Sequence, residues 1–292
     1  MAHSEKLTIP DITELGRGGK RLAMVTAYDA SSARLADAAG VDIILVGDSA
    51  AMTILGHEST LPVSMDEMLM LTRAVTRVVR RALVVADMPF GAYQPGEDEA
   101  LRNAIRFVKD AGADAVKLEG AGRTLTRVSA ILDAGIPVMG HAGMTPQSAS
   151  LAGGYKTRGR TAADARRIYD EARALERAGC FAVVLEAIPA RVAAHITHAL
   201  KVPTIGIGAG GACDGQVLVW HDLLGITTGH VPRFVKRYAD LNQTILDALK
   251  AYIADVRSSA FPDESHAYTM PEEELARFEA QLASGERPTR RM

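Results

Sequence analysis

Cysteine is nearly absent: Cys180 and Cys213 are the only two among 292 residues, and neither stands at metal-ligand spacing from another ligand type. That excludes a disulfide framework and a structural zinc centre, and leaves two thiols expected to be reduced, as in the cytoplasm. An excess of charge of either sign is also missing. A formal net charge of -2 gives no general pull toward nucleic acid or an anionic membrane. No apolar run approaches the roughly 20 residues that span a bilayer. The opening Met1-Ala2-His3-Ser4-Glu5-Lys6 lacks the regions of a signal peptide, so a cytoplasmic location is expected.

What is present is 48% hydrophobic content arranged in short runs, several of which end in a charged residue. Ile43-Ile44-Leu45-Val46-Gly47 ends in Asp48-Ser49, and Ala82-Leu83-Val84-Val85-Ala86 ends in Asp87. Asp114-Ala115-Val116 runs into Lys117-Leu118-Glu119, Pro137-Val138-Met139-Gly140 into His141, and Val183-Val184-Leu185 into Glu186. Runs without strict alternation fit strands buried on both faces of a parallel sheet. A charge inside such a strand is costly to desolvate, whereas a charge at its end can face a shared cavity. A (β/α)₈ barrel gathers its active site at that end of its strands, and a barrel of about 250 residues fits this length.

Helical periodicity fills the intervals, over residues 31–39, 66–80, 99–111, 124–134, 162–178 and 189–200. Ser64 with Glu67 three positions on reads as a capping box. Gly112, Gly135 and Gly179 stand where helices stop, since glycine reaches the left-handed conformation without steric cost. The fold class is thus α/β: a single (β/α)₈ TIM barrel over residues 1–260, with a short N-terminal helix at residues 9–16 covering its bottom. The eighth strand falls within residues 216–228 and the closing helix over residues 235–256. Residues 261–292 form a C-terminal extension, not a separate domain. Within it residues 271–282 read as an amphipathic helix, with Glu272, Glu273 and Glu274 in its first turn; it either docks on a neighbouring surface or is a surface tail.

Asp48, Asp87 and Glu119 offer hard oxygen ligands from three consecutive strands, a set that suits Mg²⁺ or Mn²⁺ chelated by a 2-oxo acid. Such an ion stabilises the enolate formed when the neighbouring carbon loses a proton. Lys117 lies on the same strand face as Glu119 and offers a cation to the substrate carboxylate or a developing oxyanion. Glu186, flanked by Val184, Leu185 and Ile188, suits a general base, with a salt bridge as its structural alternative. His141 hydrogen-bonds a substrate hydroxyl, shuttles a proton, or only packs.

Other features bear on function less. Gly206-Ile207-Gly208-Ala209-Gly210-Gly211 has the look of a dinucleotide fingerprint but sits late in the chain with no helix opening from it; close backbone packing at the pocket floor is the better reading. His195 and His198, three apart on an outer helix, read as a solvated face. Tyr155-Lys156-Thr157-Arg158-Gly159-Arg160 is a basic loop, either a clamp for an anionic tail or merely solvated.

Taken in order, Thr26-Ala27-Tyr28-Asp29, Gly47-Asp48-Ser49, Ser59-Thr60-Leu61-Pro62-Val63, Ala86-Asp87-Met88-Pro89-Phe90, Lys117-Leu118-Glu119-Gly120 and Gly140-His141-Ala142-Gly143-Met144-Thr145-Pro146-Gln147 follow a familiar pattern. With Tyr155-Lys156, Gly159-Arg160, Gly206-Ile207-Gly208-Ala209-Gly210, Asp214-Gly215-Gln216, His221-Asp222 and Phe261-Pro262, the chain resembles the ketopantoate hydroxymethyltransferase family from about residue 7 to residue 268. That family lies in the phosphoenolpyruvate-binding barrel superfamily, with isocitrate lyase and phosphoenolpyruvate mutase as distant relatives.

The resemblance implies hydroxymethyl transfer from 5,10-methylenetetrahydrofolate to 3-methyl-2-oxobutanoate, giving 2-dehydropantoate for pantothenate synthesis. It implies Mg²⁺ surrounded by Asp48, Asp87 and Glu119, the keto acid held by Ser49 and Lys117, product contact by His141, and Glu186 as base. It further implies a homodecamer. The chain departs from the family pattern at Ala50-Ala51, at Gly91-Ala92 before Tyr93, and at His57, which leaves the preferred 2-oxo acid open. Two other readings remain: a carbon–carbon lyase of the same superfamily, and a non-catalytic paralogue. Against the first, the loop after the fifth strand carries no cysteine. Against the second, five ionisable groups converge.

Overall fold

The computed structural model describes residues 5–149, 154, 156–229 and 231–285. Their contacts divide the chain into two compact units, separated between Ala239 and Asp240 rather than near residue 260.

The first unit opens with helix α1 (Ile9–Arg17), strand β1 (Leu22–Thr26), α2 (Ala30–Ala39) and β2 (Ile43–Val46). A short α3 (Ala50–Thr53), α4 (Met65–Thr76), β3 (Leu83–Asp87), α5 (Glu97–Ile105) and β4 (Ala115–Lys117) follow. The chain continues through α6 (Thr124–Asp133), β5 (Val138–Gly143), α7 (Ala162–Ala178) and β6 (Ala182–Glu186). It ends with α8 (Ala190–Ala199), β7 (Thr204–Ile207), β8 (Gly215–Leu218) and α9 (Trp220–Leu223). All eight strands are parallel and close in sequence order, β8 pairing with β1. The expected barrel is therefore the observed fold.

Alternation along each strand sorts the side chains between two cores. Leu22, Met24, Ile43, Leu45, Leu83, Val85, Ala115, Met139, Ala182, Val184, Ile205 and Val217 point inward and form one buried cluster. The intervening Ile44, Val46, Val84, Ala86, Val116, Val183 and Leu185 point outward into a second cluster with the helices. Both strand faces are buried, which is why the runs show no apolar–polar alternation. Two residues beyond the last inward apolar side chain, the same parity delivers Asp87, Lys117, His141 and Glu186 to the inside of the barrel mouth. Ile12 of α1 is fully buried in the inward cluster, so this helix covers the opposite end, as its position in the sequence implied.

The barrel closes at Gly215, where a Cβ would lie 2.7 Å from Ile205 Cδ1 and 2.8 Å from Leu22 Cβ. A side chain there would force β8 away from both neighbours. The helix stops also behave as expected: Gly112, Gly135 and Gly179 adopt φ values of 73°, 82° and 104°. One helix differs from its sequence pattern. The stretch ending at Gly112 begins at Glu97 and finishes in a π-helical turn, Arg106–Asp110, that buries Phe107.

The second unit holds α10 (Leu241–Ser258), a single 3₁₀ turn and α11 (Glu272–Ser284). The helix expected over residues 235–256 therefore starts later, capped by the Asp240 side chain on the Gln243 N–H, and belongs to this unit. Neither α10 nor α11 buries a residue. No helix among the described residues is long and apolar enough to cross a membrane.

The capping box of α4 is formed in full. Ser64 N–H and O–H both donate to Glu67 Oε2 at 2.7 Å, and Glu67 N–H donates back to Ser64 Oγ. These bonds hold the Glu67 carboxyl below its usual range. Ser64→Ala should lower the free energy of unfolding by about 1 kcal/mol in urea denaturation at neutral pH. Because Glu67 titrates lower when folded, that difference should be largest above the ordinary carboxylate pKa and shrink, to what the Glu67 N–H bond to Ser64 Oγ contributes, as pH falls through the lowered folded value. A difference that stays constant with pH would show the box contributes nothing through its charge.

Candidate active site

Five strand ends build one buried polar cluster at the barrel mouth. Lys117, Asp87, Asp48 and Glu119 are each no more than 5% exposed, and His141 is 1% exposed. Lys117 stands at its centre. Its Nζ donates to both oxygens of Asp87, at 2.8 and 2.9 Å, and lies 3.8 Å from Glu119 Oε1. This bidentate contact follows from the register, because Asp87 on β3 pairs directly with Lys117 on β4. Asp48 follows β2, and its backbone N–H reaches Asp87 Oδ2 at 3.4 Å. His141 bridges the two remaining acids, with Nδ1 3.6 Å from Glu119 Oε1 and Nε2 3.3 Å from Glu186 Oε2. Neither ring nitrogen is aligned for a hydrogen bond.

Burial dominates the electrostatics, and neighbouring charges decide each outcome. Asp48 is pushed well above the usual carboxylate range by burial and by the charges of Asp87 and Glu119. Asp87 is also raised by burial, against the opposing pull of Lys117. Glu119 goes the other way: burial is outweighed by His141, Lys117 and the Gln147 N–H, and its carboxyl falls below the usual range. Burial and Lys117 both oppose protonation of His141, yet Glu119 and Glu186 overcome them and push it up to about 9. Lys117 is held raised despite burial by Asp87, Glu119 and Asp48.

Four carboxylates thus face two cations, Lys117 and a protonated His141. That excess of carboxyl groups over cations, and a donor set of hard oxygens, fit a divalent cation among Asp48, Asp87 and Glu119. Among the described residues, however, no three His, Cys, Asp or Glu side chains already converge as ligands on one point. Lys117 Nζ stands between Asp87 and Glu119, so the expected three carboxylates are gathered but not arranged as a finished ligand set.

Ser49 lies beside this cluster, its Oγ 2.8 Å from Tyr28 Oη. Glu186 is the most exposed of the acids, at 13% for its side chain. Its backbone is fixed by Gly143 of β5, where φ is 103° and a Cβ would lie 2.5 Å from the Glu186 carbonyl oxygen. Two residues carrying no sequence expectation also enter the site. Gln147, in the 3₁₀ turn Pro146–Ser148 after β5, donates from Nε2 to Asp48 Oδ2 at 2.9 Å and from its backbone N–H to Glu119 Oε2 at 3.0 Å. Tyr93 Oη donates to Gln147 Oε1 at 2.7 Å and accepts from Glu119 N–H at 3.3 Å. The only sequence signal for Gln147 is its place at the end of the Gly140–Gln147 motif.

The remaining candidates fall outside the cluster. His195 and His198 are exposed on α8, as a solvated face should be. The glycine run opens no helix; a Cβ on Gly210 would lie 2.4 Å from Ala190 Cβ and one on Gly208 2.6 Å from the Phe234 ring, so these glycines permit close packing. In the basic loop Tyr155 lies outside the described residues, Arg158 pairs with Asp164 at 3.5 Å, and Lys156 and Arg160 are exposed. At the departures from the family pattern, Ala50 and Ala51 are fully buried in α3, Ala92 is buried, and Gly91 uses a positive φ of 91°.

Removing the central cation is the direct test of this balance. Lys117→Met should leave Asp87 buried without its cationic partner and cost about 3–5 kcal/mol of stability in urea denaturation. A cost under about 1 kcal/mol would show that the acids do not depend on it.

The chain matches the family model of ketopantoate hydroxymethyltransferase over residues 6–264. It is 50% identical to the 3-methyl-2-oxobutanoate hydroxymethyltransferase of Carboxydothermus hydrogenoformans, covering 94% of this chain and 99% of that one. To the enzyme of the same name from Acidothermus cellulolyticus it is 54% identical, covering 90% and 97%. Its fold resembles a phosphonopyruvate hydrolase crystallised with oxalate and Mg²⁺, at a TM-score of 0.57 and 14% identity, covering 95% and 98%. With its fold, its strand-end residues and its near-complete coverage in agreement, the chain belongs to the ketopantoate hydroxymethyltransferase family.

Proposed function

We propose that this chain transfers a hydroxymethyl group from 5,10-methylenetetrahydrofolate to 3-methyl-2-oxobutanoate, giving 2-dehydropantoate. The observation that carries the reading is the buried cluster of Asp48, Asp87, Lys117, Glu119, His141 and Glu186, set within a chain about half identical to enzymes of that name. A 2-oxo acid brings a carboxylate and a ketone into a site that offers both a cation and hard oxygen ligands.

In this reading Lys117 and Ser49 bind the substrate carboxylate. Asp48, Asp87 and Glu119 would hold a divalent cation, Mg²⁺ or Mn²⁺, which supplies Lewis-acid polarisation of the ketone. Glu186, the most exposed of the acids, takes the proton from C3. The carbanion carbon then attacks the folate methylene carbon and one of its two bonds to nitrogen breaks; water displaces the second nitrogen and supplies the hydroxyl oxygen, and the C3 proton and one water proton end on the two folate nitrogens. His141, protonated and within 3.3 Å of Glu186, orients that carboxylate and hydrogen-bonds the new hydroxyl. Ala50 and Ala51 set the wall beside Ser49 and so the fit of the branched substrate tail.

The same reading makes the protein a cytoplasmic homodecamer. Supporting assembly, Ile245, Leu249, Tyr252 and Val256 run along one side of α10 and are each more than 40% exposed. A single copy leaves that apolar stripe in water.

Solvent-deuterium exchange at C3 of 3-methyl-2-oxobutanoate, followed by NMR with Mg²⁺ present, tests the chemistry before the folate step. The wild-type chain should catalyse exchange, and Glu186→Gln should slow it at least about 100-fold while leaving Mg²⁺ affinity unchanged. Absence of exchange by the wild type, together with no folate-dependent incorporation of formaldehyde, would falsify the reading. A Glu186→Gln variant that instead loses the metal would reassign Glu186 from base to ligand.

A further inference from the structure

Gln147 is placed with more precision than a filler side chain needs. It is 5% exposed, and all four hydrogen-bonding positions of its amide are used. Nε2 donates to Asp48 Oδ2 and to the Met88 carbonyl, each at 2.9 Å. Oε1 accepts from Tyr93 Oη at 2.7 Å and from Gln94 Nε2 at 3.3 Å.

The sense of this amide is fixed by its neighbours. The Met88 carbonyl can only accept, so the nitrogen must face it. On the other side, Tyr93 Oη already accepts the Glu119 N–H and so turns its own proton toward Oε1. The remaining N–H is therefore directed at Asp48 Oδ2. The backbone N–H of the same residue occupies Glu119 Oε2. One residue thus engages one oxygen on each of two carboxylates. Among the described residues Asp48 Oδ1 has no hydrogen-bond partner, and Glu119 Oε1 is left to the longer contacts with Lys117 and His141.

Carboxylate denticity separates two classes of hard cation. Mg²⁺, and Mn²⁺ like it, takes single oxygens in a near-octahedral shell, whereas the larger Ca²⁺ accepts bidentate carboxylates in a looser shell of six to eight oxygens. We propose that Gln147 is a positioning residue for cation selection. By donating to Asp48 Oδ2 and Glu119 Oε2 it makes bidentate coordination by either acid costlier, and so favours the small octahedral ion over Ca²⁺. The inference rests on the reading that a divalent cation binds among Asp48, Asp87 and Glu119.

The test compares Mn²⁺ and Ca²⁺ dissociation constants by calorimetry on the full chain, with thermal unfolding as the check on folding. Gln147→Met keeps the shape of the side chain and the backbone bond to Glu119 but removes the bond to Asp48. It should weaken Mn²⁺ binding about 10–100-fold and Ca²⁺ binding far less, so that the preference collapses about tenfold or more. Tyr93→Phe, which removes one of the two bonds to Oε1 and the acceptor of the Glu119 N–H while the Met88 carbonyl still orients the amide, should shift the ratio in the same direction by less. It decides the matter if Gln147→Met does not fold. A folded Gln147→Met variant whose ratio stays within about threefold of wild type overturns the inference, as does an equal loss of both ions. If instead the wild type binds no Mn²⁺ even with 3-methyl-2-oxobutanoate present, the cation reading itself fails and this inference with it.

Discussion

Carboxylates buried side by side repel one another across a medium that screens poorly, and the barrel mouth crowds four of them together. Lys117 is the charge that makes this arrangement tolerable. It takes both oxygens of Asp87, stands near Glu119, and holds its own proton against burial because of the acids around it. His141 serves the same end on the far side, between Glu119 and Glu186. The resulting site is tense, since Asp48 and Asp87 remain raised and negative charge is in excess. Any ligand that adds positive charge, or allows the acids to share it, relieves that tension and gains affinity from it.

The scaffold supplies this site through one simple regularity. Strand parity puts every second side chain inside the barrel, apolar below and ionisable at the last inward position. Parallel pairing then sets the neighbours, so that Asp87 meets Lys117 with no special loop required. The residues that lack this support, Asp48 and Glu119, lie just past their strands, and these are the two that Gln147 secures from a turn. Strands thus fix four of the six side chains of the cluster, and a hydrogen-bonded loop network fixes the other two.

This division also explains what the sequence discloses. Charges closing apolar runs are legible because few structures other than a strand end at a cavity can tolerate them, and glycine stops are legible because the left-handed conformation is expensive for other residues. Short β8 is harder to place: only four residues long, it alternates buried and partly exposed positions and is defined by the tight approach at Gly215. The π-helical turn at Arg106–Asp110 leaves no mark in apolar spacing. Apolar periodicity over residues 235–256 does indicate a helix, but it cannot show that Asp240 starts it or that it lies in another unit. Gln147 and Tyr93 stay hidden because a polar side chain in a loop acquires its role from partners distant in the chain.

One further consequence comes from α1. With Ile12 sealed into the inward cluster at the lower end, the barrel is a cup rather than a tube. His141 pairs with Val184 and so lies one pleat below Glu186, with Glu119 beside it, so a small acid that reaches them must pass the level of Glu186 first. A bulky co-substrate lying across the rim would then shut it in. In such a cup the sequence of arrivals and departures is dictated by depth, and tight binding at the rim acts as a trap for whatever came before.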